Sequence, residues 1–478
     1  MEAWGEDTQL IRRMKNGDEA AIDEFVRKYY PQILQYCRLH SPDLCSAEDM
    51  TQETFLRFFR TLPNYQHYGK AANYLYVIAG NCCRDDWRRV KPLSLEEIPE
   101  PSGEDWVNEQ GESETGFAAI AKLRAAKKEW AGVLDEEKLQ AVIRENQRII
   151  ATPEAQSKDY QQNDIAYSWK QGIGEILYML KCSFADGFRS FDHNTANRLV
   201  PEQAKDFYPN RVKLLKEWLY DPTDSAYNRF SDDEKAFLIS QYESLETPIT
   251  YDYATGWEQA LTYTTTITML CALILGYLMA GIFSNEFKWH SDSIFFSTIN
   301  GRNQAVWAKI KAGFLLVTAV YWVSILTFSL LTLSYLGFDG WNCPIQIFRW
   351  KCFYNITCGQ YYLLVLVGGY VGNLFTSFLV MWISAKTRSS LFAVTIPYVI
   401  VFLPSFIPEF VNTTYVGKIL ALLPDRLLDT GMSASYFDLL SFGKKVVGAF
   451  PVCLLLYFIL SLILVPAMYR AYRHKQIT

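Results

Sequence analysis

The sequence predicts an all-α chain. It joins a small soluble helical bundle, a disordered linker, a mainly helical polar domain and a polytopic membrane domain of about five spans. Three observations support this fold class. Apolar residues recur at three- and four-residue steps before residue 92 and within residues 116–258, which is typical of amphipathic helices. Pro, Glu and Ser are frequent in the residues between these two parts. After Glu258, several uncharged runs are long enough to cross a bilayer.

Composition and motifs exclude several classes of function. The length of 478 residues leaves room for two or three domains, and the net charge of −5 gives no chain-wide nucleic-acid footprint. Any DNA contact would therefore be local. The ten cysteines and five histidines show no zinc-site spacing, and there is no GxxxxGK or HExxH motif. We expect no metal, no cofactor and no enzymatic activity from the chain by itself.

Residues 1–92 contain the predicted bundle, because stripes of apolar residues on charged helices are buried against one another. The stripe of the stretch Leu10 to Leu39 consists of Ile11, Met14, Ala21, Phe25 and Ile33. In the stretch Ser46 to Leu62, the residues expected to face inward are Met50, Phe55, Leu56 and Phe59. Those expected to face outward are Asp49, Gln52 and Glu53. A third helix ends in the basic residues Arg84, Arg88, Arg89 and Lys91, before Pro92.

In order and spacing, the stretch Leu10 to Pro92 resembles region 2 of bacterial extracytoplasmic-function RNA polymerase sigma factors. In that family the acidic helix docks on the polymerase clamp, which implies polymerase contacts for Asp49, Gln52 and Glu53. The next helix captures melted promoter DNA by stacking on bases and binding phosphates. This implies DNA contacts for Tyr74, Tyr76, Asn81, Arg84, Asp85, Trp87, Arg88 and Arg89. The alternatives are a solvated helix face for the acidic set and favourable charge at a helix C-terminus for Arg88 and Arg89.

The linker is predicted at residues 93–115 and the polar domain at 116–258. One helix of this domain has an apolar face made by Leu139, Val142, Ile143 and Ile150. Ser231 followed by Glu234 predicts a capping box that opens another helix. Four tryptophans are expected to build the core: Trp130, Trp169, Trp218 and Trp257. A surface that binds carbohydrate or peptide is the alternative use for them.

Five uncharged runs follow Glu258, with 27, 27, 34, 20 and 24 residues. Since about 20 apolar residues cross a bilayer core as a helix, all five qualify as spans. They lie near 259–283, 313–337, 360–384, 390–408 and 447–469. Before Glu258 the longest uncharged run, Ala71 to Cys83, has 13 residues and is too short. Buried helices of a large soluble core are the alternative. Gly368, Gly369 and Gly372 would let another helix approach the third span closely.

The charges of the loops predict a topology. Residues 284–311, 386–388 and the tail after Tyr469 carry nine Lys and Arg against two acids, whereas 339–351 and 409–445 carry six against five. By the positive-inside rule the first set is cytoplasmic, so the C-terminus is cytoplasmic and residues 116–258 are outside. The outer loop holds Cys343, Cys352 and Cys358, which form either one disulfide or three reduced thiols.

The stretch Glu286 to Gly313 mixes aromatic and charged residues next to a span, as an interfacial helix does. From about Gly116 onward, the layout resembles the permease subunits of bacterial ABC exporters that have a large external domain. In that family such a stretch receives the separate ATPase subunit. This implies ATPase contacts for Glu286, Phe287, Lys288, Gly301, Arg302 and Asn303. A plain juxtamembrane anchor is the alternative for each of them.

The two resemblances predict a bacterial, multi-pass membrane protein. In this interpretation a sigma-like promoter-binding part, without its helix-turn-helix, is fused to a permease without its first span. The expected partners are the RNA polymerase core, promoter DNA, a separate ABC ATPase and the lipid bilayer, with a homodimer or heterodimer left open. The two parts require opposite sides of the membrane unless one span, 390–408 being the shortest, does not insert. A membrane-tethered transcription regulator and a nonfunctional gene fusion are the alternatives.

Overall fold

The computed structural model describes most of the chain. It covers residues 3–62 except 17 and 41–43, then 71, 75, 76, 78, 79, 106–107 and 113–114. From 116 to 473 it covers all residues except 158–159, 225, 299, 302, 405–413, 430–436 and 444. Side chains are described at fewer positions, and those of 38–49 are not among them. The chain divides into two compact units, Met1–Ser94 and Leu95–Thr478, and each is described by itself.

The first unit is a bundle of α1 (Ala3–Lys15), α2 (Glu19–His40) and α3 (Leu44–Thr61). Its predicted stripe is confirmed, since the following residues are buried: Ile11, Met14, Ala21, Phe25 and Ile33. The ring of Phe25 stacks on that of Phe58, with centroids 4.9 Å apart. The prediction for Leu56 is wrong, because its side chain is 53% exposed and Phe58 occupies the core instead.

The second unit begins with β1 (Trp106–Val107), which pairs antiparallel with β2 (Ser113–Glu114). The sequence predicted disorder throughout this linker, and that prediction is wrong at these four residues. A tryptophan followed by a valine favours extended pairing even inside a stretch rich in Pro and Glu.

The polar domain is helical. Its elements are α4 (Phe117–Glu129), β3 (Gly132–Val133), α5 (Glu136–Ile150), α6 (Pro153–Gln156), α7 (Tyr160–Lys170), α8 (Gly174–Ser183), α9 (Thr195–Arg198), α10 (Phe207–Tyr220), α11 (Ala226–Arg229), α12 (Asp232–Glu243) and β4 (Thr250–Tyr251). Strand β3 pairs antiparallel with β4. The predicted capping box at Ser231 is confirmed. In α5, Ile149 is buried where the sequence predicted Ile150, which is half-buried.

The predicted tryptophan core of this domain is confirmed. Trp218 and Trp257 are buried, while Trp130 and Trp169 are partly buried and pack against the main core cluster.

Within the described part of the chain, four helices are long and apolar enough to cross a membrane: α13 (Thr255–Ala280), α16 (Gln304–Leu336), α17 (Cys358–Thr387) and α21 (Ala449–Arg473). The most apolar window of α17 is 78% buried, against 22% in α16 and α21, so α17 is the central helix. Gly369 and Gly372 permit this packing. A Cβ on Gly369 would lie 2.9 Å from Thr268, and one on Gly372 would lie 2.9 Å from Leu428.

The run predicted as a span at 390–408 behaves differently. It forms α18 (Ser390–Phe402), a helix of 13 residues with Pro397 inside it. At 1.5 Å per residue such a helix is about 20 Å long, shorter than a bilayer core of about 30 Å. Residues 405–413 lie outside the described part, so this fifth span stays a prediction.

The remaining elements connect the long helices at two ends. Helices α14 (Asn285–Lys288) and α15 (Asp292–Ser297) join α13 to α16, at the end opposite the polar domain. At the domain end lie the loop from Phe338 to Thr357, α19 (Thr414–Leu420) and the antiparallel strands β5 (Leu439–Phe442) and β6 (Lys445–Gly448). Helix α20 (Asp425–Leu428) packs halfway along α17, where Leu427 and Leu428 lie next to Gly372. The cysteines predicted to be oxidised or reduced, Cys343, Cys352 and Cys358, are buried free thiols.

Candidate functional site

Helix α3 has a polar outward face. Thr51 and Phe58 are buried against the bundle, so Gln52 is exposed and Glu53 is half-buried. The Nε of Arg57 donates to Oε1 of Glu53 at 2.7 Å, one turn along the helix. Both side chains of this pair are about a third exposed, so a partner can reach each of them in part.

Leu56 extends this face with an exposed apolar side chain, which the sequence analysis missed. Its spacing of four residues from Gln52 is the signal that could have placed it outward, because residues four apart share a helix face. The third member of the predicted set, Asp49, has its side chain outside the described part. The outward surface therefore combines an amide, a carboxylate and an aliphatic group.

The carboxylate of Asp18 stabilises the N-terminal end of α2. Oδ1 of Asp18 accepts hydrogen bonds from the backbone N–H groups of Ala20 and Ala21, at 3.1 and 3.3 Å. The Nε of Arg13 donates to Oδ2 of Asp18 at 2.8 Å. The hydrogen bond from Arg13 lowers the pKa of Asp18, so this carboxylate stays ionised and orients α1 against α2.

The residues predicted to contact DNA are described only at Tyr76. This side chain is half-buried, and its ring meets that of Tyr36 edge-on, with centroids 5.2 Å apart. Part of the ring is therefore used in packing. The other members of the set lie outside the described residues or have undescribed side chains: Tyr74, Asn81, Arg84, Asp85, Trp87, Arg88 and Arg89.

At the end opposite the polar domain, two of the predicted ATPase contacts face inward. Glu286 forms an ion pair with Lys309 and accepts a hydrogen bond from the hydroxyl of Tyr472 at 3.1 Å. Phe287 packs on Tyr472, and the guanidinium of Arg388 lies 4.8 Å from its ring centroid. These side chains join the ends of several helices, and a partner would reach them only in part.

The other predicted contacts differ in access. Lys288 is exposed, whereas Gly301 is buried so tightly that a Cβ there would overlap the carbonyl oxygen of Phe295. Oδ1 of Asn303 accepts a hydrogen bond from the hydroxyl of Tyr469 at 2.9 Å. Arg302 lies outside the described residues.

Two exposed apolar side chains at this end were not predicted from the sequence. Trp289 is 69% exposed and Ile294 is 72% exposed. Both flank the turn between α14 and α15, beside the exposed Lys288. An apolar pair beside a cation suits either a protein partner or the bilayer interface.

Comparison with known proteins places a family match within the first unit. The model of the sigma-70 region 2 family matches residues 25–92. The chain is 38% identical over 87 residues to the ECF RNA polymerase sigma factor SigE of Mycolicibacterium smegmatis, covering 18% of this chain and 34% of that protein. It is 34% identical over 80 residues to the RNA polymerase sigma-H factor of Pseudomonas aeruginosa, covering 17% and 42%.

A third relative is the RNA polymerase sigma factor YlaC of Bacillus subtilis, 27% identical over 120 residues, which cover 23% of this chain and 68% of that protein. The chain spans less than half the length of the first two relatives. No solved structure matches the chain. The predicted sigma-like region 2 therefore has a matching family, while the permease interpretation of the long helices stays a prediction.

Proposed function

We propose that residues 25–92 bind the RNA polymerase core and melted promoter DNA, and that the chain fuses this module to a permease-like membrane domain. The family match over residues 25–92 carries the first part of the proposal. The outward face of α3 supports it, because Gln52, Glu53 and Leu56 together offer hydrogen-bonding and apolar contacts to another helix.

A charge reversal on this face tests polymerase binding in the full chain. The double variant Gln52→Lys/Glu53→Lys would repel a basic partner and remove the acceptor groups. We expect it to recover at least tenfold less polymerase core than the parent in co-purification from solubilised membranes. The matched control is Glu24→Lys on α2, since Glu24 is also exposed and also pairs with an arginine, Arg13, at 3.2 Å. Equal recovery by the parent and the double variant would refute the proposal.

The second part of the proposal assigns transport to the membrane domain, together with a separate ATPase. Its support is a set of four long apolar helices among the described residues. The first, α13, begins beside the polar domain, and the last, α21, ends where the hydroxyl of Tyr472 donates to Glu286 at the opposite end. The polar domain occupies one end, and the basic connections with exposed Lys288, Trp289 and Ile294 occupy the other. In this proposal the second end, with the C-terminus, is cytoplasmic and receives the ATPase.

The two parts of this proposal can be separated by topology. Single cysteines at Lys205 and Lys288, both exposed, mark the domain end and the opposite end. The permease part requires residues 116–258 outside, so it predicts that a membrane-impermeant maleimide labels Lys205→Cys in intact cells and Lys288→Cys only after permeabilisation. The polymerase-binding part requires the residues before Glu258 inside, so it predicts no labelling of Lys205→Cys in intact cells. The reverse pattern would contradict the permease orientation.

A third reporter, Gln52→Cys, decides between the fusion and its alternatives. If it is protected in intact cells, the sigma-like unit is cytoplasmic and a membrane-tethered regulator gains support. If it labels from outside, the unit cannot reach polymerase, and the chain is a permease fused to an inactive module.

A further inference from the structure

The loop from Phe338 to Thr357 brings its two ends together as an antiparallel pair. Pro344 lies opposite Thr357 in a β-bridge. Beside this bridge, the backbone N–H of Cys358 donates to the carbonyl oxygen of Cys343 at 2.8 Å. Opposite residues of an antiparallel pair have Cα atoms about 4.5–5.5 Å apart, and a disulfide spans about 4.4–6.8 Å between Cα atoms. The backbone therefore places these two cysteines within reach of a disulfide.

Neighbouring residues hold both cysteines in place. Pro344 has no N–H group, so it suits a bridge position at which no donor is needed. Thr357 caps α17, because its Oγ1 accepts a hydrogen bond from the backbone N–H of Gln360 at 3.2 Å, and Cys358 is the first residue of that helix. Both cysteines are thiols in the structure and both are buried. Opposite residues project their side chains to the same face, so the two thiols are neighbours.

The third thiol of the loop, that of Cys352, lies away from this pair. The backbone N–H of Ile345 donates to the carbonyl oxygen of Ile356 at 3.0 Å, so the pairing continues past the bridge, and Cys352 lies in the turn that it encloses. The carbonyl oxygen of Cys352 accepts a hydrogen bond from Nη2 of Arg211 at 2.8 Å, and its Sγ lies 3.9 Å from the carbonyl oxygen of Tyr354. Cys352 is therefore held in the turn, against the polar domain.

Burial determines when a bond between the two cysteines can form. Burial raises the pKa of the Cys343 thiol to about 11, so in the folded loop this group is protonated and is a poor nucleophile. Oxidation therefore has to precede burial, while the loop is still open during membrane insertion. Once the loop has folded, the same burial shields the bond from thiol reductants.

We propose that Cys343 and Cys358 form a disulfide that closes this loop, and that Cys352 remains a thiol. Both S–H bonds break and one S–S bond forms. The two electrons and two protons pass to the disulfide of a protein thiol oxidase at the outer face of the membrane, which is reduced to two thiols. The inference rests on the proposed orientation, with the polar domain outside, because cytoplasmic thiols are kept reduced.

The disulfide stabilises the contact between this loop and the polar domain. The residues that it closes, 344–357, include Trp350 and Cys352, whose carbonyl oxygens accept hydrogen bonds from Nε and Nη2 of Arg211 at 3.0 and 2.8 Å. Closing the loop lowers the conformational entropy of its unfolded state. The segment that Arg211 binds is therefore kept close to its bound conformation.

The test maps disulfides in the full chain, expressed in a bacterial host with an oxidising periplasm. Cells are denatured in the presence of N-ethylmaleimide, which alkylates every thiol that is not in a disulfide, buried thiols included. The chain is then digested with trypsin and chymotrypsin, since cleavage after Lys351 and after Tyr354 separates the three cysteines. The test variant is Cys358→Ser, and the matched control is Cys352→Ser. Labelling of Lys205→Cys in intact cells is measured in the same host.

In the parent and in Cys352→Ser, we expect one linked pair of peptides that contains Cys343 and Cys358. Alkylation of these two cysteines should be at least tenfold lower than after reduction with dithiothreitol. In the parent, Cys352 should be alkylated without reduction. In Cys358→Ser, the linked pair should be lost and Cys343 should be alkylated without reduction.

Two failures are distinguishable. If Lys205→Cys labels from outside and the parent lacks the bond between Cys343 and Cys358, the disulfide is wrong and the orientation stands. If Lys205→Cys is protected and the bond is absent, the orientation is wrong and the disulfide falls with it. A bond from Cys352 to either of the other two cysteines in the parent would overturn the proposed pairing.

Discussion

Buried charged side chains are paired differently at the two ends of the long helices. At the end opposite the polar domain, Glu286 and Lys309 are both mostly buried, and they pair with each other. At the domain end, Lys351 is buried at least as deeply, and no carboxylate among the described residues pairs with it. The first arrangement is complete and holds helices together. The second sets the ammonium of Lys351 against the ring of Phe188, 5.5 Å from its centroid.

The largest effect should come from breaking the complete pair. Glu286→Ala leaves Lys309 buried without its partner, and breaking a buried pair typically costs about 3–5 kcal/mol. We expect a clear fall in Tm of the full chain in nanodiscs. The double variant Glu286→Leu/Lys309→Leu should recover most of the loss, because no charge is then left unpaired. If the single and double variants are equally unstable, the ion pair between Glu286 and Lys309 does not stabilise this end of the helices.

The next largest effect is expected for Arg211→Gln, which should destabilise the protein more than Lys351→Gln. Arg211→Gln removes charged hydrogen bonds to the carbonyl groups of Trp350 and Cys352, at a cost of about 2–3 kcal/mol. Lys351→Gln should be neutral or slightly stabilising, because it removes a buried charge that no carboxylate among the described residues pairs with. Tm of both variants and hydrogen exchange of the loop check this. A destabilised Lys351→Gln would show that the lysine is already compensated.

The sequence predicted helical periodicity well, but it did not define which side of each stripe is buried. Leu56 and Phe58 both lie within the apolar part of α3, and only the position of α2, with Phe25 stacked on Phe58, decides between them. Ile149 and Ile150 show the same ambiguity. Neighbouring apolar positions on a helix cannot be ranked without the partner element.

The charged sites were harder to predict, because each is formed by residues that are far apart in the sequence. Lys351 lies between two carbonyl groups that Arg211 binds, those of Trp350 and Cys352. These two residues are 139 and 141 positions from Arg211 in the sequence. Glu286 was predicted as a partner contact from its place next to a span. Its pairing with Lys309, 23 positions away, depends on how α13 and α16 meet. Local pattern therefore places Glu286 next to a span, whereas the direction of its side chain depends on the tertiary structure, and its contact with a partner stays a prediction.

A moderate, pH-dependent effect is expected at Glu234, a second charged contact of the domain end. Its carboxylate accepts hydrogen bonds from Lys418 at 2.7 Å and from Ser441 at 2.6 Å, and it also caps α12 at Ser231. Burial raises the pKa of Glu234, but these hydrogen bonds outweigh it and lower the pKa below 4.5. The contact therefore stabilises at pH above 4.5 and is lost as the pH falls through the lower folded value.

Hydrogen exchange of β5 measured between pH 6 and pH 3, with correction for the intrinsic rate, tests this contact. Protection of Leu439–Phe442 should be retained above pH 4.5 in the parent and should fall as the pH drops further. In Glu234→Gln, protection should already be reduced at pH 6 and should change less with pH. An equal pH dependence in both proteins would assign the effect to another group.

The smallest effect on Tm is expected for an ion pair whose charged atoms are close together but exposed to solvent. Nζ of Lys216 lies 2.7 Å from Oε1 of Glu243, with side chains 46% and 52% exposed. Exposed pairs contribute about 0–1 kcal/mol, because water screens both charges in the folded state. Lys216→Ala should therefore change Tm by at most about a third of the Glu286→Ala effect, and added salt should remove the difference. A large effect of Lys216→Ala would mean that distance, and not burial, determines which charges stabilise this protein.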